Sequence, residues 1–139
     1  MNRADFQKLA ELRIREAKIL LDNKQYAGAY YLAGYSVEYA LKACIARQTK
    51  RYAFPPDVER VRKMYIHDLT RLLEPAGIQK THAVEVASNR MFNANWTTAK
   101  DWSEQSRYEH SITRARALDL YSAITDSGDG ILTWLKNFW

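Results

Sequence analysis

The sequence predicts an all-α protein, and three observations predict it. Gly and Pro number only 5 and 3 in 139 residues, too little punctuation for the many tight turns of a β fold. Residues 4–21 repeat their apolar side chains with the 3.6-residue period of a helix. Residues 26–48 are apolar on most sides, the pattern of a helix buried among others. A chain of 139 residues is the size of one domain. With 47% hydrophobic and 27% charged residues it has the composition of a folded core rather than of a disordered chain. The expectation is a single helical domain over residues 1–139, a bundle of about five to seven helices.

In the first segment Phe6, Leu9, Ala10, Ile14, Ala17, Leu20 and Leu21 share one side of the helical wheel, with Lys8, Glu11, Arg15 and Lys18 opposite. Arg13 falls on the apolar side, where its stem is expected on the core with its head in water. The second segment is expected to be the central helix, and its Gly28, Ala29, Ala33, Gly34, Ala40 and Ala43 are small enough to let a neighbouring helix approach. That neighbour is either in the same chain or across a dimer interface. Pro55-Pro56 disfavours helix and marks a loop. Residues 67–73 read as a short helix stopped by Pro75 and Gly77, with Asp68 at its positive end. A longer helix is expected from about 81 to 98, on a weak stripe of Val84, Ala87, Ser88, Met91, Ala94 and Asn95. After a break at 99–106 the last long helix is expected over 107–125, ending at Asp126-Ser127-Gly128-Asp129-Gly130. The tail 131–139 is apolar enough to dock on the body or on a partner.

The chain carries 21 basic and 16 acidic residues, a formal charge of +5, which permits an anionic partner without demanding one. Much of the surplus lies in 47–63, where Arg47, Lys50, Arg51, Arg60, Arg62 and Lys63 face Asp57 and Glu59, with Tyr52, Phe54 and Tyr65 close by. Such a cluster is more often a solvated surface than a phosphate-contacting patch. The single Cys44 excludes an intramolecular disulfide and a Cys-rich zinc module. The charged N-terminus has no apolar signal core, and no segment reaches the length of a membrane span, so a cytoplasmic protein without membrane contact is expected. There is no glycine-rich phosphate loop, paired-histidine zinc helix or calcium loop. With only three histidines, neither a metal nor a cofactor is expected.

Three constellations could carry chemistry. Glu38 and Lys42 stand four apart in the order that favours a helical ion pair, with Tyr31 and Tyr35 on the same face. A structural pair is the more probable reading, a binding site the sharper one. Arg107, His110 and Arg114 follow at intervals of three and four, so on one helix they would form a stripe able to hold a phosphate and move a proton. A plain basic surface explains them equally well. Arg62 and His67 form a third arginine-histidine pair, with Arg60 just before it.

The stretch from Tyr26 to Ala43, YAGAYYLAGYSVEYALKA, with its Val37-Glu38, one residue, then Ala40-Leu41-Lys42-Ala43, resembles the HEPN domain family. The resemblance continues through His67-Asp68-Leu69 followed by Leu72, and through Trp102 followed by Arg107-Tyr108. It implies an up-and-down helical bundle that pairs into a homodimer. Some members are ribonucleases that use an arginine and a histidine four to six residues apart on a late helix. Others accompany a minimal nucleotidyltransferase, often as the toxin half of a toxin-antitoxin pair. Here Arg107 and His110 have two residues between them, whereas Arg62 and His67 have four but precede the His-Asp-Leu motif. The leading expectation is a dimeric module that binds nucleotide, RNA or a nucleotidyltransferase partner through Glu38, Lys42, Arg107 and Tyr108. The alternatives are a metal-independent ribonuclease and a purely structural homodimer. In the ribonuclease, His110 or His67 would be the base, and Arg107, Arg114 or Arg62 would hold the phosphate.

Overall fold

In the computed structural model, which describes residues 1–49 and 57–139, the chain opens on a helical hairpin. The first helix, α1 (Arg3–Asp22), starts in a capping box. The Asn2 side chain accepts from the Asp5 N–H at 3.0 Å, and the Asp5 carboxylate accepts from the Asn2 N–H at 2.9 Å. It ends in a Schellman turn, in which the Gln25 N–H donates to the Leu20 carbonyl at 2.8 Å and the Lys24 N–H to the Leu21 carbonyl at 3.1 Å. Lys24 takes the left-handed conformation, φ 62°, that closes this turn. The chain then re-enters helix as α2 (Tyr26–Gln48), which packs along α1.

The remaining helices are α3 (Val58–Lys63), α4 (Leu69–Leu72), α5 (Gln79–Ser88), α6 (Arg90–Lys100), α7 (Arg114–Thr125) and α8 (Ile131–Leu135), with a 3-10 turn at Glu104–Tyr108. All regular structure among the described residues is helical. The helix α2 is central, as its pattern predicts: it touches α1, α4, α7, α8 and the 3-10 turn. Val37, Leu41, Cys44 and Ile45 on it are fully buried, together with Leu69, Leu72, Leu120, Ile124, Ile131 and Leu135 from its neighbours. Complete burial of a side chain of this size stabilises the fold by about 1.5–3 kcal/mol relative to exposure. On α2 the size of Gly34 is dictated by a specific neighbour. A Cβ there would lie 2.1 Å from the indole of Trp102, so the ring is seated directly on the helix backbone.

Three expectations are corrected. The helix expected over 81–98 is broken at Asn89, whose side chain accepts from the Phe92 N–H at 3.1 Å and caps a new helix. Its expected stripe faces outward: Val84 and Met91 are 67% and 61% exposed, while His82, Phe92, Trp96 and Ala99 are buried. The helix expected to start at Arg107 starts at Arg114. Thr113 caps it by accepting from the Arg116 N–H at 3.2 Å, and 107–108 belong to the 3-10 turn. The tail docks on the body, with Trp134 against Phe92 and Phe138 at ring distances of 5.0 and 4.7 Å. Arg13 is half-buried and pairs with Glu16 at 2.5 Å. The Pro55-Pro56 loop, Lys50, Arg51, Tyr52 and Phe54 lie outside the described residues, as does the side chain of Arg60.

Candidate functional site

Glu38 and Lys42 meet as their spacing predicts, but inside the protein rather than on its surface. Lys42 Nζ lies 2.6 Å from Glu38 Oε1, with the two side chains 10% and 1% exposed. The same oxygen lies 2.9 Å from His67 Nδ1. His67 enters from the segment between α3 and α4, fixed by Asp68, whose carboxylate caps α4 by accepting from the Arg71 N–H at 3.1 Å. On its far side His67 Nε2 lies 3.1 Å from Glu104 Oε2. Carboxylates accept and do not donate, so both contacts are hydrogen bonds only when each ring nitrogen carries a proton. The result is a chain from Lys42 through Glu38 and His67 to Glu104. Glu38 Oε2 is buried without a hydrogen-bond partner among the described residues. Such an oxygen is an acceptor held in reserve.

Aromatic side chains enclose this chain. Tyr35 sits edge-on to Trp102 at 5.2 Å and to Tyr31 at 5.0 Å, and 6.5 Å from the His67 ring. Burial pushes the Tyr35 phenol up from its ordinary range. A hydrogen bond with the Tyr31 hydroxyl and the negative charge of Glu38 act in the same direction, so Tyr35 remains neutral. A cleft of about 430 Å³ opens beside the cluster, lined among others by His67, Arg71, Lys100, Trp102 and Glu104. Asp68 and Asp101 line it too, so its cations are balanced by acids.

The 3-10 turn carries the site outward. Residues three apart in such a turn eclipse one another, so Arg107 follows Glu104 on the same line. A hydrogen bond with the Tyr108 hydroxyl raises the pKa of its guanidinium above the ordinary value, and the negative charge of Glu104 acts in the same direction. The Arg107 guanidinium lies over the Tyr108 ring, 4.8 Å from its centroid. Both residues are exposed, Tyr108 by 69%. Arg107 has no carboxylate within ion-pair distance among the described residues.

The other sequence candidates do not assemble. Arg107, His110 and Arg114 do not share a helical stripe, because the segment between Tyr108 and Arg114 is not helical. His110 is exposed on it. Arg114 begins α7 and lines a different cleft. Arg62 is exposed on α3, which ends before His67, and no hydrogen bond or ion pair joins the two. Glu104 is the member of the site that sequence reasoning missed, and Trp102 entered it only through the family resemblance. The signal for Trp102 was a glycine on a buried helix, which marks close approach without saying by what.

The fold and site together define a small all-α module built on one buried helix, with a histidine held between two carboxylates. The HEPN domain family model matches residues 5–122, and the chain belongs to that family. The stretches around Glu38, His67 and Arg107 that carry the resemblance all fall within the match. No curated protein and no solved structure matches the chain. Among the described residues no helix is long and apolar enough to cross a membrane, and no group of His, Cys, Asp and Glu is placed to hold a metal ion.

Proposed function

We propose that this HEPN module binds a nucleotide or an RNA strand through the Arg107–Tyr108 pair and the adjoining His67 cleft, and does not cleave it. The observation that carries the reading is the exposed guanidinium stacked on an exposed tyrosine without an acidic partner. A base can stack on the tyrosine ring or the guanidinium plane while the cation meets phosphate. Arg71 and Lys100 in the cleft are likewise without ion-pair partners among the described residues. Glu38 and Lys42, which the sequence marked as binding residues, take the supporting role. They are buried, and they hold His67 in place from behind.

The test is anisotropy of a fluorescent single-stranded RNA and of a labelled mononucleotide in EDTA, with wild type, Arg107→Ala and Tyr108→Ala. Binding that weakens in both variants and falls with salt supports the reading. Binding equal in all three would end it. RNA cleavage in EDTA that disappears on His110→Ala would replace it with the ribonuclease alternative. The homodimer that the family resemblance implies is checked by light scattering, where the mass of a single chain would count against it. A nucleotidyltransferase partner is checked by co-purification.

A further inference from the structure

Within the 3-10 turn Glu104–Tyr108, the contact of Glu104 with His67 is the one side-chain hydrogen bond or ion pair that reaches another element among the described residues. Ser106, in the middle of the turn, is buried, but its hydroxyl has no partner among the described residues. The next tie, Glu109 to Arg116 at 2.7 Å, lies beyond the turn. The turn that carries Arg107 and Tyr108 is therefore held at its start by a single polar contact, 3.1 Å long, with one histidine.

That contact is a hydrogen bond only while His67 Nε2 carries a proton, since a carboxylate donates nothing. A neutral imidazole has one N–H to offer to Glu38 and Glu104. Glu38 has the stronger claim, because its side chain is 1% exposed and that of Glu104 is 25% exposed. A buried carboxylate that loses a donor costs more than one that can turn to water. The remaining proton thus stays on Nδ1, and the bare lone pair of Nε2 faces the Glu104 carboxylate and repels it. The His67 side chain is 37% exposed, so its proton leaves to water without opening the core. Around the ring and its partners stand Glu38, Lys42 and Tyr35 on α2, Glu104 on the turn, Asp68 and Arg71 on α4, and Lys100 and Asp101 at the end of α6. Carboxylates change charge below this range and lysine, arginine and tyrosine above it, which leaves histidine to respond between about pH 6 and 9.

We propose that His67 is a proton-operated latch: protonated, it docks the 3-10 turn and sets Arg107 and Tyr108 in place, and on losing the Nε2 proton it lets the leading edge of the turn go. The latch is a property of Glu38, His67 and Glu104. Its consequence for RNA rests on Arg107–Tyr108 being the binding face.

Nuclear magnetic resonance of the full chain between about pH 5.5 and 9 tests the latch without a ligand. The ring nitrogen shifts of His67 should report both nitrogens protonated at the acid end and the Nδ1–H tautomer at the alkaline end. The backbone amides of Glu104–Tyr108 should move with the same midpoint. His67→Gln should abolish that movement, which separates it from any titration of the exposed His110. In Glu104→Gln the ring should still titrate while the amides stay in place, because a side-chain amide accepts from Nε2–H and donates to a bare Nε2. A neutral ring protonated on Nε2 would overturn the proposal, as would turn amides that ignore the His67 midpoint or that titrate unchanged in Glu104→Gln. If His67→Gln does not fold, Glu104→Gln decides by the same criterion. RNA anisotropy at constant ionic strength reads the consequence. Wild type should bind about threefold or more weakly at the alkaline end, as the competent state empties, and Glu104→Gln should flatten that dependence. Equal affinity at both ends would refute the gating. No RNA binding at any pH would remove the binding face, and the latch would then stand or fall on the amide shifts.

Discussion

Two groups of charges lie side by side in this protein and are used in opposite ways. Lys42, Glu38, His67 and Glu104 are joined by contacts of 2.6, 2.9 and 3.1 Å, and Glu38 and Lys42 are withdrawn from water. Arg107, one turn beyond Glu104, stands in solvent over Tyr108 with no acid paired to it. Charges inside the protein satisfy each other, and removing one leaves its partner stranded in a medium that solvates it poorly. Charges on the rim satisfy nothing in the chain, so their loss leaves the fold intact and shows in what binds. A lysine and an arginine with the same formal charge therefore differ in which measurement detects them.

The largest effect is expected at Lys42. Lys42→Ala should lower the free energy of unfolding by about 3–5 kcal/mol, because buried Glu38 loses its lysine and keeps only the His67 contact. Urea denaturation reads this directly. The pairing is sharpened by replacing both members at once. Glu38→Met with Lys42→Met should recover part of the loss, since two apolar side chains of similar volume need no partners, although His67 Nδ1 gives up its contact with Glu38. If the double variant is as unstable as the single one, the cost does not come from a stranded charge.

Trp102 is the wall between the two regions, seated on Gly34 and edge-on to Tyr35. Gly34→Ala puts a methyl group where the indole is, so the ring must move. Overfilling of this kind costs about 1–3 kcal/mol. The near-ultraviolet circular dichroism of the tryptophans should change with it, and RNA binding should weaken because Trp102 lines the cleft. A Gly34→Ala protein with wild-type stability and spectrum would mean that Trp102 does not rest on α2.

His82 tests the same principle away from the site. It is buried against Phe92, Trp96 and Trp134, at ring distances of 5.7, 4.3 and 5.8 Å, and its Nε2 has no partner among the described residues. Burial lowers its pKa from the ordinary 6.5. The unfolded chain therefore takes up this proton at a higher pH than the folded one. Between the lowered value and 6.5 the unfolded state holds more protons, so stability rises with pH across that window and is full above it. His82→Leu should remove this component of the pH dependence. Melting curves of both proteins at pH 5 to 8 check it: parallel profiles would refute the assignment, and a wild type that loses stability toward acid faster than His82→Leu supports it.

How much of this was legible in the sequence depends on how far apart the interacting residues lie. The helix α2 was legible because a run apolar on most sides has few other places to go, and Glu38–Lys42 because four residues make one helical turn. Asp68 was legible as the start of a helix because capping is local. Glu104 was not, since nothing near His67 in sequence says which distant carboxylate will reach its other nitrogen. The break at Asn89 was overlooked for a different reason. Small and weakly apolar residues continued a helical phase across it, while the side chains that are buried, His82 and then Phe92 and Trp96, belong to two helices with separate phases. Asn89 and Thr113 are both good N-cap residues, and giving that signal more weight than the periodicity would have found both helix starts.

The smallest effect on the fold is expected at Arg107, and it bears most on the proposed function. Arg107→Ala removes a guanidinium that has no ion-pair partner among the described residues, so stability should stay within about 0.5 kcal/mol of wild type. Binding of single-stranded RNA should weaken by about 1–3 kcal/mol if the guanidinium stacks on a base or meets a phosphate. Arg107→Lys separates those contributions. It keeps the charge and loses the plane, so it should retain the salt dependence while giving up the stacking share. Equal losses in Arg107→Ala and Arg107→Lys would assign the binding to the flat guanidinium on Tyr108. A lysine that binds like wild type would assign it to charge alone, and Tyr108→Ala should then be nearly silent.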